Sequence, residues 1–133
     1  SPSRGLGDVY KRQEYNILFV SCVVDMFSIT SSKGDIITLN TRNTDKICNA
    51  FRNIRELMYN KNSKQGAWFQ VEMFLKSKAQ YTLKFNYDNL EQIPSFFQKP
   101  DWLLEMFREY PRSKEYTPLW LRKIVGRRKL YLT

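Results

Sequence analysis

The sequence predicts an α+β fold: an antiparallel sheet of four to five strands, one central helix over about residues 44–60, and a C-terminal helical segment. Three observations predict it. Apolar side chains alternate at a period of two in several short runs, the period changes to three and four over 44–60, and an amphipathic, proline-punctuated stretch follows Asn89.

The first thirteen residues, SPSRGLGDVYKRQ, stand apart from this pattern. Gly5 and Gly7 flank one leucine and precede a strand, so they do not form a phosphate loop between strand and helix. Ser3 to Gln13 look like one translated frame of a sequencing adapter, so residues 1–13 are read as a non-native segment. Residues 14–133 are then expected to form a single domain. Setting aside Arg4, Lys11, Arg12 and Asp8 leaves 19 basic and 12 acidic side chains, and lowers the net charge from +9 to +7.

Tyr15 to Val24 is a nearly unbroken apolar run, the pattern of a strand covered on both faces. Met26 to Thr30 and Asp35 to Asn40 read as two shorter strands joined by SSKG, where Gly34 supplies a positive φ. From Thr44 to Asn60, Ile47, Ala50, Phe51, Ile54, Leu57 and Met58 form one apolar helix face. Asn43 or Thr44 is the expected cap, with Asp45 in the first turn.

Residues 68–88 read as a β-hairpin. Phe69, Val71, Met73 and Leu75 share a face with Tyr81, Leu83, Phe85 and Tyr87 if Leu75 opposes Tyr81, and Glu72 then faces Lys84. Trp68 and Phe74 fall on the other face. Further on, Pro100 suits a first helical position and Pro111 ends that helix, while Thr117-Pro118 opens a second short helix that Gly126 closes.

The composition narrows the chemistry. The chain has no histidine, so the usual general base, the usual metal ligand and every Ser-His or Cys-His pair are missing. Cys22 and Cys48 are too few for a zinc site and lack redox spacing; they read as reduced thiols of a cytoplasmic protein. No run is long and apolar enough to span a membrane. Asp101, Glu105 and Glu109 recur at four-residue steps, an acidic stripe that suits a solvated or partner-binding face better than a split acid–base pair. No catalytic, metal or cofactor residues are assigned. Arg122, Lys123, Arg127, Arg128 and Lys129 make the C-terminus basic, which keeps open a small nucleic-acid-binding module using that tail, although nucleic acid is the disfavoured partner.

A more specific signal lies between Gly66 and Leu121. A tryptophan, Trp68, opens the hairpin; Phe85, Tyr87 and Asp88 close it; then follow Pro111, Arg112, Tyr116, Pro118, Trp120 and Leu121. This pattern resembles the YezG family of bacterial immunity proteins, antitoxins encoded beside LXG-type polymorphic toxins whose toxic domains are often nucleases. The resemblance implies a non-enzymatic cytoplasmic protein that binds and neutralises a cognate toxin by occluding it, without a cofactor, and it implies that residues 14–133 are one such domain lacking a native helix ahead of the first strand. The signature side chains read as mostly structural: the prolines punctuate helices, Tyr116 and Trp120 bury against the sheet, and Arg112 bonds carboxylates such as Asp88 or terminal carbonyls. The toxin-binding surface is expected at Asp88, Glu91, Asp101, Glu105 and Glu109, where charge is locally negative. Nothing in the sequence sets an oligomeric state.

Overall fold

A computed structural model describes residues 17–23, 26–77 and 79–133. The adapter reading of residues 1–13, the element expected ahead of Glu14, and the strand positions Tyr15, Asn16 and Val24 lie outside the described residues. Five strands, β1 (Leu18–Val23), β2 (Met26–Ser31), β3 (Ile36–Ile37), β4 (Gln70–Ser77) and β5 (Gln80–Asn86), form one antiparallel sheet in the order β3-β2-β1-β4-β5. With the helices described below, this is the α+β arrangement that the sequence predicts.

The most continuous apolar strand, β1, takes the centre, with Val20 between Ile29 and Met73. Its expected cover on both faces is complete only towards Val23. At the other end Phe19 meets Phe74 edge-on at 5.1 Å, and both rings stay partly exposed because the C-terminal layer does not reach them.

Gly34 adopts φ +88° between β2 and β3, as the turn requires. The strand expected over residues 35–40 shrinks to Ile36–Ile37, because Asn40 is used by the next helix. That helix, α1, spans Thr41–Lys61 and starts three residues before Thr44. Asn40 is its cap: the Asn43 N–H donates to Asn40 Oδ1 at 2.8 Å and the Thr44 N–H to the Asn40 carbonyl at 3.0 Å. Neither Asn43 nor Thr44 caps it, and Asp45 therefore falls beyond the first turn.

The inner face of α1 also differs from the apolar reading. Ile47, Phe51, Ile54 and Met58 pack on Val20, Cys22, Ile29 and Val71, but Leu57 stands 64% exposed. Arg55, one turn from Phe51, takes the inner position instead, its guanidinium 4.6 Å from the centre of the Trp68 ring. A planar, weakly hydrated cation lying on an aromatic face can replace an apolar side chain there.

In the hairpin, Leu75 opposes Tyr81 and Glu72 opposes Lys84, the expected register. The alternation fails one residue before β4, where the chain bends at Phe69. Trp68 consequently joins the core under α1, and Phe69 crosses to the opposite face. This reverses the sequence assignment of both side chains, because period-two reasoning holds only inside the ladder.

The opposite face is covered at its Val23 end by α2 (Pro100–Glu109), α3 (Leu119–Val125) and the single turns Leu90–Gln92 and Ser95–Phe97. Pro100 is the first residue of α2, and Gly126 closes α3 at φ +61°. Under this layer a polar chain crosses three strands: Gln70 donates to Ser21 Oγ at 3.2 Å, and Asn86 donates to Gln70 Oε1 at 3.4 Å and to the Asn89 carbonyl at 2.8 Å. Gln70 and Asn86 are both buried, so these bonds fix which strand ends the layer can cover.

Candidate functional site

Four of the signature residues, Tyr87, Asp88, Pro111 and Trp120, converge on one junction, centred on a fifth, Arg112. It follows Pro111, which halts the chain after α2, and its side chain is 2% exposed. Its Nη1 donates to Asp88 Oδ1 at 2.9 Å and to the Gln65 carbonyl at 3.3 Å; its Nη2 donates to the Tyr87 carbonyl at 3.1 Å. The guanidinium lies 5.8 Å from the centre of the Phe69 ring. Burial pushes Arg112 down from the ordinary arginine value, and the charge and hydrogen bond of Asp88 oppose that shift. Arg112 thus bonds both a carboxylate and terminal carbonyls, the two partners expected for it.

Neighbouring contacts extend the junction. Trp120 Nε1 donates to the Asp88 carbonyl at 2.8 Å, and its ring lies 5.9 Å from Phe69. Tyr59, near the end of α1, donates to the Pro111 carbonyl at 2.6 Å, and Ser113 bonds the Lys64 carbonyl through both its N–H and its hydroxyl. Trp68 and Leu121 are fully buried, Trp68 beside Phe85 at 5.6 Å between centroids. The junction ties together the end of α1, the end of the hairpin and the segment before α3. One expectation fails: Tyr116 does not bury against the sheet but stands half exposed, since the single turn Lys114–Tyr116 carries it outward.

Gly66 belongs to this junction although the sequence reading passed over it. It adopts φ +85°, and a Cβ there would lie 2.5 Å from Arg112 Cδ. The position needs glycine twice, for backbone conformation and for space. The legible signal was a glycine just after the polar end of α1. Gln65 and Lys64 act only through main-chain carbonyls, which residue identity does not reveal.

The acidic candidates divide between two open grooves. Asp88, 63% exposed beyond its bond to Arg112, lies with Glu91 beside Trp120 in a space of about 540 Å³ that Asn89 and Leu90 also line. Asp101 and Glu105 border a second space of about 550 Å³ with Lys99, Pro100 and Trp102. Glu105 pairs with Arg108 at 2.6 Å, whereas Glu109, at the end of α2, is exposed and lines neither groove. Four of the acidic candidates thus border two grooves, and the fifth, Glu109, follows Asp101 and Glu105 at four-residue steps along α2.

In the basic tail, Arg122 donates to the Thr117 carbonyl at 2.8 Å and to the Lys114 carbonyl at 2.7 Å, and Arg128 donates to the carbonyls of Ile124 and Val125. These two side chains cap main-chain carbonyls. Lys123, Arg127 and Lys129 are exposed.

Among the described residues no group of three or more histidine, cysteine, aspartate or glutamate side chains is placed to hold a metal ion, and no helix is long and apolar enough to cross a membrane. Comparison with known families places the chain in a class of immunity proteins. The family described as Immunity protein YezG-like matches residues 35–119, from β3 to the start of α3. The chain belongs to the YezG-like immunity protein family. No curated protein and no solved structure matches it.

Proposed function

We propose that this immunity protein neutralises a cognate toxin by stoichiometric binding, covering the toxin's active site or its substrate path, without catalysis and without a cofactor. The proposed partner is an LXG-type toxin with a nuclease domain, met in the bacterial cytoplasm. The observation that carries this reading is the junction itself: signature side chains are engaged in holding segments together, and Arg112 mounts Asp88 rigidly beside Glu91 and Trp120 at the surface. A preformed surface loses little conformational entropy on binding, which suits an inhibitor that must act at once. A stable complex would bury on the order of 1,200–2,000 Å² in total. The acidic residues Asp88, Glu91, Asp101, Glu105 and Glu109 are the proposed source of charge complementarity to a toxin that handles nucleic acid.

Co-expression with the toxin encoded by the adjacent gene tests the reading. Wild-type protein is expected to restore growth; a toxin that stays lethal beside soluble immunity protein overturns it. The exposed Lys123, Arg127 and Lys129 favour one alternative, a nucleic-acid-binding tail. That alternative requires affinity for duplex DNA that falls steeply with salt, and titration at two salt concentrations is expected to show none.

A further inference from the structure

The sheet ends in two unequal edges. β3 contributes two residues, whereas β5 contributes seven, and among the described residues no strand pairs with the outer side of β5. Alternate residues of such a strand turn their N–H and C=O groups outward, where another extended strand can match them. Gln80, Tyr81, Thr82 and Lys84 are all exposed, so the edge is open to solvent. Tyr81 shares the face of Leu83 and Phe85, which α1 covers, yet it is 59% exposed. Phe85, on the same face, is backed by Trp68 at 5.6 Å. The strand reads QYTLKFN, and about its central Leu83 it is symmetric in kind: Thr82 and Lys84 are polar, Tyr81 and Phe85 aromatic, Gln80 and Asn86 amides. A strand of another protein would satisfy the same backbone groups without requiring this symmetry. A second copy requires it, because in a two-fold interface residue i meets residue j and j meets i.

We infer that β5 is the interface of a two-fold dimer, in which the β5 strands of two copies pair antiparallel about Leu83 and join the sheets into one. In that register Tyr81 lies opposite Phe85 of the second copy, so each exposed tyrosine ring packs beside a ring already backed by Trp68. Thr82 lies opposite Lys84 of the second copy, and Lys84 faces Glu72 within its own sheet, so no like charges oppose each other. Centring the pair on Lys84 would set two lysines face to face, and centring it on Thr82 would oppose Phe85 to Ala79. Asn86 is buried and held by Gln70 and Asn89, so the pairing runs from Tyr81 to Phe85. Such a span is far short of the roughly 20–30 residues a side of a standard interface, so the dimer is reversible and concentration-dependent. The net positive charge of each copy opposes their approach, and the dimer therefore tightens as salt screens that repulsion. It stands independently of the immunity reading.

The test is sedimentation of the purified protein at concentrations up to about 1 mM, which reaches dissociation constants of that order, at low and high salt. Wild-type protein is expected to dimerise reversibly, and more tightly at high salt. Thr82→Lys sets a lysine opposite Lys84 twice in the dimer and should weaken it about 2- to 30-fold at low salt, whereas Thr82→Glu sets a carboxylate there and should tighten it by a similar factor. Thr38→Lys and Thr38→Glu make the same charge changes at an exposed position between β3 and α1, and should shift the dimer much less. Because Thr82 and Thr38 are exposed, all four variants are expected to unfold near the wild-type temperature. Wild-type protein that stays monomeric at about 1 mM at both salt concentrations overturns the inference. So does a dimer that loosens as salt rises, or one that the Thr82 variants shift no more than the Thr38 variants do. A monomer whose binding to the toxin from the adjacent gene is lost in Tyr81→Lys gives the edge to a toxin strand and also overturns it.

Discussion

Arg112 shows how one buried cation is kept charged. Its carboxylate partner, Asp88, is largely exposed, so the guanidinium draws on the two carbonyls of Gln65 and Tyr87 for the rest of its compensation. Replacing it with methionine would fill the space but orphan both carbonyls, at about 1–3 kcal/mol each, so Arg112→Met is expected to destabilise by at least about 2 kcal/mol. Lysine cannot reproduce the fork, and Arg112→Lys should rescue little of that loss in urea unfolding. Gly66 gives the complementary case. Gly66→Ala combines a left-handed φ with a Cβ driven into Arg112, and should lower stability by about 1–3 kcal/mol. A variant as stable as wild type in the same measurement would show that the turn relaxes without cost.

At the scale of elements, α1 depends on a cap that the sequence reading placed three residues too late. Asn40→Ala removes the acceptor for the Asn43 N–H and is expected to cost about 0.5–2 kcal/mol, whereas Asn43→Ala should cost much less; far-ultraviolet circular dichroism during thermal unfolding separates the two. Such boundaries show where the fold was legible. The hairpin register, the Gly34 turn, the proline-opened α2 and the Gly126 stop follow from local periodicity and backbone chemistry, so sequence reasoning reached them. Asn40 was hidden because it also read as the end of a strand. Arg55 was hidden because an apolar period passes over a cation, while its partner Trp68 comes from beyond the helix. Phe69 was hidden because a bend breaks the alternation. Of the site, the junction of Arg112 with Asp88 was foreseeable from side chains that need each other. The apolar notch lined by Met26, Phe96, Phe97, Lys99 and Trp102 was not legible, since Met26 and Phe96 meet only through the sheet and the layer on it.

For the whole molecule, pH offers a test of how tightly the pieces are joined. Burial raises the phenols of Tyr59 and Tyr87 above a tyrosine's ordinary value, so the folded state favours their neutral forms. Their contribution is fully present below about pH 10 and is lost as pH rises through the raised values. Stability measured by denaturant should therefore hold between about pH 8 and 10 and fall above it, and Tyr59→Phe should shallow that fall while losing the bond to Pro111. The junction has a consequence for the order of folding. The Arg112 main-chain carbonyl accepts the Leu132 N–H at 3.0 Å, so one residue closes loops to Gln65, to Tyr87 and Asp88, and to the C-terminus. Long loops are costly to close before their contacts exist. The hairpin and α1, built from nearer neighbours, can form while the chain is still emerging from the ribosome, but the ring closes only once Leu132 has emerged as well.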